Sequence, residues 1–394
     1  MIGIIGLNLR AALGSVPPLL GEISVDLDLS GSMQGMLTSL GVIFMGLSAP
    51  LGQRFAARYG SEVTIAVFMG LLSVGGLMRL AATATAVLLA SVAVTGIAMG
   101  AISALVPGLI AHHLPRITGL TTGIYSTGLA LGVAAAAWIA VPSVTWLGGW
   151  RPALAVWGVF AALAAVAWAA LLPRLRRLPA GGGPRPGSTV VDYRLPWRST
   201  TAWWVTLFSS TQMVIGFSGL AWIAPYYAAL GMSPRQASYL FVFFQVIQLL
   251  AMMTLPTITD YTRDRRPLLG FTMLAACAGI AMMILAPPSL AVLAVGLFGF
   301  GVGGGSALVL VLVSDYTNGQ AQAARLGAMT LMVAFLVGAL GPLALGLLHD
   351  LTGGLTAGYL VMLVLGTVIL TTLPVFRPGR ALDDASPSLV PPPS

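Results

Sequence analysis

Twelve stretches of about twenty mainly apolar residues, separated by short polar loops, constrain the fold of this 394-residue chain most strongly. A helix needs about 20 residues to cross the hydrocarbon core of a bilayer. Only 8% of the residues are charged, against about 25% in soluble domains, so a water-soluble fold is excluded. We therefore predict an all-α polytopic membrane protein. The expected spans are 2–21, 31–52, 62–82, 85–108, 117–141, 151–172, 201–228, 235–258, 267–286, 289–313, 325–348 and 355–376.

One long polar segment divides the twelve spans into two sets of six. Residues 173–200 carry several arginines and the glycine-rich run 181–187, a composition typical of a flexible linker. We predict an N-terminal six-helix bundle at 1–172, a cytoplasmic linker at 173–200 and a C-terminal six-helix bundle at 201–376. The Pro-rich end, 377–394, is predicted to be a disordered cytoplasmic tail.

The loop arginines lie mostly on the linker's side of the membrane. The other side holds Arg79, Arg151 and Arg235, together with several acidic residues. Because positively charged loops stay in the cytoplasm, both termini are predicted to be cytoplasmic and the membrane to be the inner, cytoplasmic one. The same distribution accounts for the net charge of +8 without a nucleic-acid partner.

Arg10 is the one permanent charge that falls well inside an apolar helix. The run Ile2–Leu20 is otherwise uncharged, and a charge there costs at least roughly 2.5–3.5 kcal/mol, so by default it marks a functional site. No Asp or Glu lies at a similar depth in another apolar run. This predicts that the cation meets an anion or an electron-rich polar molecule from outside. The alternative is an arginine that snorkels to the cytoplasmic surface from about 12 Å along the helix.

The two sets of spans show weak sequence similarity to each other. Ala130-Leu131-Gly132 in the fifth span matches Ala339-Leu340-Gly341 in the eleventh, and each lies 14 residues after an arginine that opens its helix. Six plus six spans with a parallel repeat resemble the plan of the major facilitator superfamily, in which the substrate binds between the two bundles near the membrane midplane.

A closer resemblance is carried by short segments along nearly the whole chain. The segment Asn8–Leu20, NLRAALGSVPPLL, is similar to the first-helix signature of the cyanate/nitroimidazole transporter branch of this superfamily. Further similar segments, in order, are Ala49–Leu51 with Arg58–Gly60, Gly123–Thr127, Gln212 ten residues before Trp222, and Gly338–Pro342 running on to Asp350. The resemblance implies a transporter, not an enzyme, with no cofactor. It also implies cyanate, a nitro-heteroaromatic or a related small planar solute as the substrate.

Seven residues are expected to form the substrate site. The guanidinium of Arg10 offers a planar fork of donors that suits a carboxylate, a cyanate-like anion or a nitro group. The other six are Asn8, Tyr125, Gln212, Phe217, Trp222 and Gln245. Amides can hydrogen-bond a planar substrate and aromatic faces can stack on it. The alternative for these residues is an interhelical hydrogen bond or a packing contact, which we favour for Tyr226 and Tyr227.

Charged residues near the cytoplasmic ends of the second set of spans are candidates for gating. Asp315 ends the tenth span and Arg325 opens the eleventh, so they are expected to pair in one conformation, or to form a static loop salt bridge. Asp260 and Arg263 lie in the loop after the eighth span. Arg79, near the outer end of the third span, is predicted to snorkel.

Several other chemistries are not supported by the sequence. The run Gly301–Ser306 lacks the lysine of a phosphate-binding loop and lies inside an apolar span. His112 and His113 are adjacent, diverge on a helix and have no Cys or carboxylate cluster beside them, so no metal site is expected. The single cysteine, Cys277, excludes a disulfide within the chain.

The leading hypothesis is therefore a secondary active transporter that works by alternating access. Its substrate is a small anion or small planar polar solute bound at Arg10, and protons are a plausible coupling ion. One alternative is an exporter of neutral drug-like or metabolite amphiphiles. Another is a membrane sensor built on a transporter fold that binds its ligand without moving it.

Overall fold

The computed structural model describes residues 1–114, 117–175, 195–259, 262, 264–286, 288–317 and 320–376. Its α-helices are α1 Ile2–Gly14, α2 Leu20–Leu27, α3 Gly31–Tyr59, α4 Ser61–Leu77, α5 Thr85–His113, α6 Thr118–Leu147, α7 Trp150–Leu175, α8 Thr200–Ala229, α9 Pro234–Thr259, α10 Arg266–Leu285, α11 Ala291–Asp315, α12 Gln320–Gly338, α13 Leu340–Thr352 and α14 Thr356–Thr371. The described residues contain no strand.

Twelve segments of the described chain are long and apolar enough to cross a membrane, which confirms the predicted fold class. We number them spans 1 to 12. Span 1 comprises α1 and α2, span 11 comprises α12 and α13, and each other helix forms one span. Spans 2 and 5 extend beyond the predicted segments, to Tyr59 and Leu147, because a helix continues into its polar end after the hydropathy signal has stopped.

Two spans are interrupted, and proline chemistry explains both breaks. Pro17 and Pro18 lack the N–H groups that would donate to the carbonyls of Leu13 and Gly14, so α1 ends there and a 3₁₀ turn, Pro17–Leu19, leads into α2. In span 11, Pro342 likewise cannot donate to the carbonyl of Gly338, where α12 ends. Each half of the molecule therefore has one bent span.

Helix packing shows the internal repeat more clearly than the sequence does. Span 4 packs on span 2 in the first half, and span 10 packs on span 8 in the second. A Cβ at Gly100 would lie 2.0 Å from the carbonyl oxygen of Met45, and a Cβ at Gly303 would lie 2.1 Å from that of Gln248. Small residues thus allow the same close backbone approach in both halves.

The two halves meet along spans 2 and 11 and along spans 5 and 8. We call the end at which span 6 finishes and span 7 begins the linker end, and the opposite end the far end. Within the predicted linker, residues 176–194 lie outside the described residues, as does the predicted tail at 377–394. In span 1, the 3₁₀ turn Pro17–Leu19 contacts spans 7 and 8 of the second half.

Candidate substrate site

Arg10 lies on α1 with a half-buried side chain. It makes no hydrogen bond or ion pair with any residue that the structure describes, although Tyr125 of span 5 lies within electrostatic range. Leu7, one turn earlier on the same helix face, lines a cleft of about 630 Å³ at the linker end, between spans 1 and 5 and Met253 of span 8. The guanidinium is therefore a cation without a charge partner in the described chain, one turn from this cleft.

Glycines bring Tyr125 close to α1. A Cβ at Gly6 would lie 2.6 Å from the carbonyl oxygen of Tyr125, so only a glycine permits this approach of spans 1 and 5. The Tyr125 side chain is 7% exposed, and Ser103 of span 4 is the polar side chain that interacts with its hydroxyl. A phenol within electrostatic range of an unpaired guanidinium can bind a polar solute together with it.

Asn8 is also buried near Arg10, but half of its amide is already used. Its Nδ2 donates to the carbonyl of Ile4, 2.9 Å away in the same helix. Its Oδ1 is buried without a partner. Spans 1 and 5 thus bring together three of the predicted site residues, Asn8, Arg10 and Tyr125.

The two predicted glutamines lie in the second half with unsatisfied amides. Gln212 of span 7 is 1% exposed and packs against Gly305 of span 10, and neither its Oε1 nor its Nε2 has a partner in the described chain. Gln245 of span 8 is buried, with an unpartnered Oε1. Such groups are costly unless a ligand, water or another conformation satisfies them.

The two predicted aromatic residues are held by span 11. The Trp222 side chain is 2% exposed; its Nε1 donates to the carbonyl of Pro342 at 3.0 Å, and its ring stacks on His349. In this conformation Trp222 therefore follows the alternative expectation, an interhelical contact. The Phe217 ring lies 6.1 Å from that of Phe335. Tyr226, for which a packing role was favoured, donates to the carbonyl of Met283 at 2.6 Å.

In this conformation Asp315 is not paired with Arg325, and the predicted gating pair stays a prediction. Asp315 instead accepts a hydrogen bond from Nε of Arg265 at 2.7 Å. Arg265 precedes span 9 and also donates to the carbonyls of Thr259 and Thr262, which makes it the better-placed partner. The other two gating candidates, Asp260 and Arg263, lie outside the described residues.

The expectation that Arg79 snorkels is wrong. Its side chain turns into the first half, is 1% exposed and donates from Nη2 to the carbonyl of Ala12 at 3.1 Å. The carbonyl of Ala12 lies near the end of α1 and also accepts from the Ser15 hydroxyl at 3.4 Å. Nothing in the sequence showed that the Arg79 side chain would reach it.

A contact between the halves at the far end was also missed. Asp350, at the end of span 11, accepts from the backbone N–H groups of Gly31 at 2.5 Å and Ser32 at 2.8 Å, at the start of span 2. A carboxylate is favourable at a helix N-terminus because the free N–H groups point at it. On the other side, Ser238 of span 8 donates to the carbonyl of Ala137 of span 5 at 2.7 Å. These contacts close the far end.

The twelve spans and the pairing of two six-span halves define a membrane transporter fold. The family model of the Major Facilitator Superfamily matches residues 2–342 and 213–390, and the chain belongs to that superfamily. The fold is similar to the crystal structure of a D-xylose-proton symporter, with a TM-score of 0.76 and 16% identity over 96% of each chain. A similar match is a bacterial homologue of the human lysosomal transporter Spinster, inward-facing and unoccupied, with a TM-score of 0.75 and 15% identity over 95% of this chain and 94% of that one.

Curated relatives are more similar in sequence. The chain is 29% identical to the uncharacterized transporter YycB of Bacillus subtilis, over 93% of this chain and 89% of that protein. It is 28% identical to the cyanate transport protein CynX of Escherichia coli, over 93% and 94% of the two chains. It is 29% identical to the 2-nitroimidazole transporter of the same organism, over 89% and 87%. The resemblance to the cyanate/nitroimidazole branch is thereby confirmed, and the chain is a transporter, not an enzyme.

Proposed function

We propose that this protein is a secondary active transporter that moves a small anion or small planar polar solute by alternating access, with Arg10 in the central site. The observation that carries the proposal is Arg10 itself, a half-buried guanidinium in a membrane span without a partner in the described chain. An anion strongly stabilises a cation in that position, and the planar donor fork of a guanidinium matches a planar anion.

The relatives named for cyanate and 2-nitroimidazole transport support a planar or anionic substrate. Both compounds offer a linear or planar group with electron-rich oxygen or nitrogen atoms, which accepts hydrogen bonds from Arg10 and Tyr125. Asn8 completes the site on the first half, and Gln212, Gln245, Phe217 and Trp222 contribute from the second half when the spans rearrange. The substrate thereby bridges the two halves.

The contacts at the far end support one defined step of the cycle. Asp350 and Ser238 close the molecule there, and the cleft at the linker end gives access to the turn before Arg10. With the linker cytoplasmic, as arginine counting indicates, this is an inward-facing conformation. Opening the far end requires Asp350 to leave the N-terminus of span 2, and the binding of substrate between the halves offsets the cost of that step.

Proton coupling in this proposal acts through the substrate rather than through a buried carboxylate. In the described spans the acidic residues lie close to span ends: Glu22, Asp26, Glu62, Asp315 and Asp350. Transport of an anion together with a proton, or in exchange for a second anion, requires no carboxylic acid deep inside a span. Gating by Asp315 and Arg325 belongs to the same cycle, since release of Asp315 from Arg265 would leave it free to pair with Arg325.

The test is flux in proteoliposomes with cyanate and 2-nitroimidazole as probes. Arg10→Gln should abolish uptake of the transported compound, and Arg10→Lys should retain part of it, because lysine keeps the charge and loses the fork. Arg235→Gln is the matched control, since Arg235 is exposed and bonds only Tyr239 in the described chain. Uptake by Arg10→Gln at the wild-type rate would refute the proposal, and saturable binding without any flux would point to a sensor.

An exporter of neutral amphiphiles is the second candidate, and one observation favours it. The cleft of about 630 Å³ at the linker end is lined almost entirely by apolar residues, among them Ile4, Leu7, Leu131 and Met253. A neutral amphiphile could enter there without contacting Arg10. Energised vesicles that expel a lipophilic dye equally well with wild-type protein and with Arg10→Gln would favour this function.

A further inference from the structure

Arg79 is a second buried cation, and the proposed function does not use it. It lies in the 3₁₀ turn Met78–Ala81 at the far end of span 3, and its side chain is 1% exposed. One nitrogen, Nη2, donates to the carbonyl of Ala12. The other two, Nε and Nη1, are buried without a partner, and no carboxylate in the described chain forms an ion pair with Arg79.

Capping the break in span 1 explains only part of this arrangement. One guanidinium nitrogen satisfies a carbonyl in the last turn of α1, that of Ala12, which also accepts from the Ser15 hydroxyl at 3.4 Å. An arginine has five N–H donors. The groups on Nε and Nη1 therefore remain unsatisfied, together with the whole positive charge, in a part of the protein that excludes bulk water.

A small cavity lies against the buried Arg79 side chain. Its volume is about 10 Å³, and Arg79, Thr38 and Thr95 form its polar lining, with Gly41 and Met99 among its apolar neighbours. The Thr95 hydroxyl already donates to the carbonyl of Val92 at 2.9 Å, whereas Thr38, on span 2, has no hydrogen bond among the described contacts of its side chain. The space admits one water molecule or one monatomic ion.

We propose that this cavity is a binding site for a halide-sized monovalent anion, held by Arg79 and Thr38 and separate from the substrate site at Arg10. An anion there neutralises the buried guanidinium and uses the two nitrogens that no protein group satisfies, whereas a water molecule leaves the charge in place. The site holds spans 1, 2, 3 and 4 together at the proline break. It stands independently of the proposed substrate, because it rests on different residues.

The decisive experiment uses the purified full-length protein in chloride-free gluconate buffer, since gluconate is too large for the cavity. Chloride and bromide are added at constant ionic strength while thermal unfolding is followed. Wild-type protein and Arg10→Gln should show the same saturable stabilisation, and Arg79→Gln should show none. Thr38→Val, which keeps the shape and removes the hydroxyl, should weaken the apparent affinity by roughly tenfold.

Crystals grown in bromide provide a second measurement that does not depend on the folding of any variant. The proposal requires an anomalous bromide peak beside Nε and Nη1 of Arg79 in the wild-type protein. A peak only at Arg10, a water molecule alone in the cavity, or equal halide stabilisation of wild type and Thr38→Val would overturn it. Failure of cyanate and nitroimidazole transport would leave these results unchanged, so the two proposals can fail separately.

Discussion

The two halves of this transporter share one packing plan but carry different chemistry. Spans 4 and 10 approach spans 2 and 8 through glycines at matching positions, Gly100 and Gly303. The first half, however, holds two cations at depth, Arg10 and Arg79. The second half has uncharged groups at comparable depth, with Gln212 the most deeply buried amide.

This difference indicates that the two halves have different roles in substrate binding. The glycine contacts that build each bundle tolerate little change, so the repeat is preserved where backbones touch. Side chains that face the space between the halves are free to diverge. One half can thus supply the charge that attracts an anion, while the other supplies neutral hydrogen-bonding and stacking groups that select its shape.

The largest expected effect tests the shared packing. Gly100→Ala and Gly303→Ala each place a Cβ about 2 Å from a backbone carbonyl of the partner helix, and such overpacking costs about 1–3 kcal/mol or more. Both variants should lose most of their folded yield in detergent, judged by size-exclusion chromatography and thermal unfolding. Gly70→Ala is the matched control, because nothing lies within 4 Å of its added Cβ. If Gly100→Ala or Gly303→Ala had normal stability, the two glycine contacts would not be equivalent.

The next effect tests the division of charge. For an anionic substrate, Arg10→Gln should lower the uptake efficiency kcat/KM by roughly a hundredfold, because an interaction with a full charge is lost. Gln212→Leu should lower it by about tenfold, the size expected for neutral hydrogen bonds. Initial uptake rates over a range of substrate concentrations measure both. A larger loss for Gln212→Leu than for Arg10→Gln would reverse the assignment of the two halves.

The sequence was sufficient for the twelve spans. Hydropathy reports membrane burial directly, because it depends on local composition alone. A permanent charge inside an apolar run, such as Arg10, stands out in the same way, and its role in the site stays a prediction. The bounds of the linker stay a prediction as well, since residues 176–194 lie outside the described residues.

The directions and partners of side chains at span ends could not be predicted in this way. Arg79 at the end of span 3 could reach outward to the headgroups or inward to the carbonyl of Ala12, and the helix packing decides between them. Asp315 had both Arg265 and Arg325 at the same end, and only the helix packing selects Arg265. The indole N–H of Trp222 donates to the carbonyl of Pro342 of span 11 in this conformation, a partner that the sequence could not name.

A smaller effect concerns the two far-end contacts between the halves. Asp350→Asn removes a charge from the N-terminus of span 2 and should shift the equilibrium toward an open far end by about 1–2 kcal/mol. Ser238→Ala removes one neutral hydrogen bond and should shift it by at most about 1 kcal/mol. Spin labels at Val25→Cys and Leu351→Cys, both exposed sites, in a Cys277→Ser background, report the far-end distance. An unchanged distance distribution in Asp350→Asn would show that Asp350 does not hold the far end closed.

The smallest expected effect concerns two polar contacts at the linker end, one in each half. In the first half, Glu62 at the start of span 3 accepts from His113 at the end of span 4, at 2.7 Å. In the second half the charges are reversed, with Arg265 before span 9 bound to Asp315 at the end of span 10. Arg265 also binds two carbonyls at the end of span 8, so Arg265→Gln should destabilise the protein by about 1 kcal/mol.

His113→Gln should cost less, about 0.5 kcal/mol, since glutamine can still donate to Glu62. Thermal unfolding of the two variants beside the wild type measures both effects. A larger loss for His113→Gln than for Arg265→Gln would show that the first-half contact is the stronger of the two.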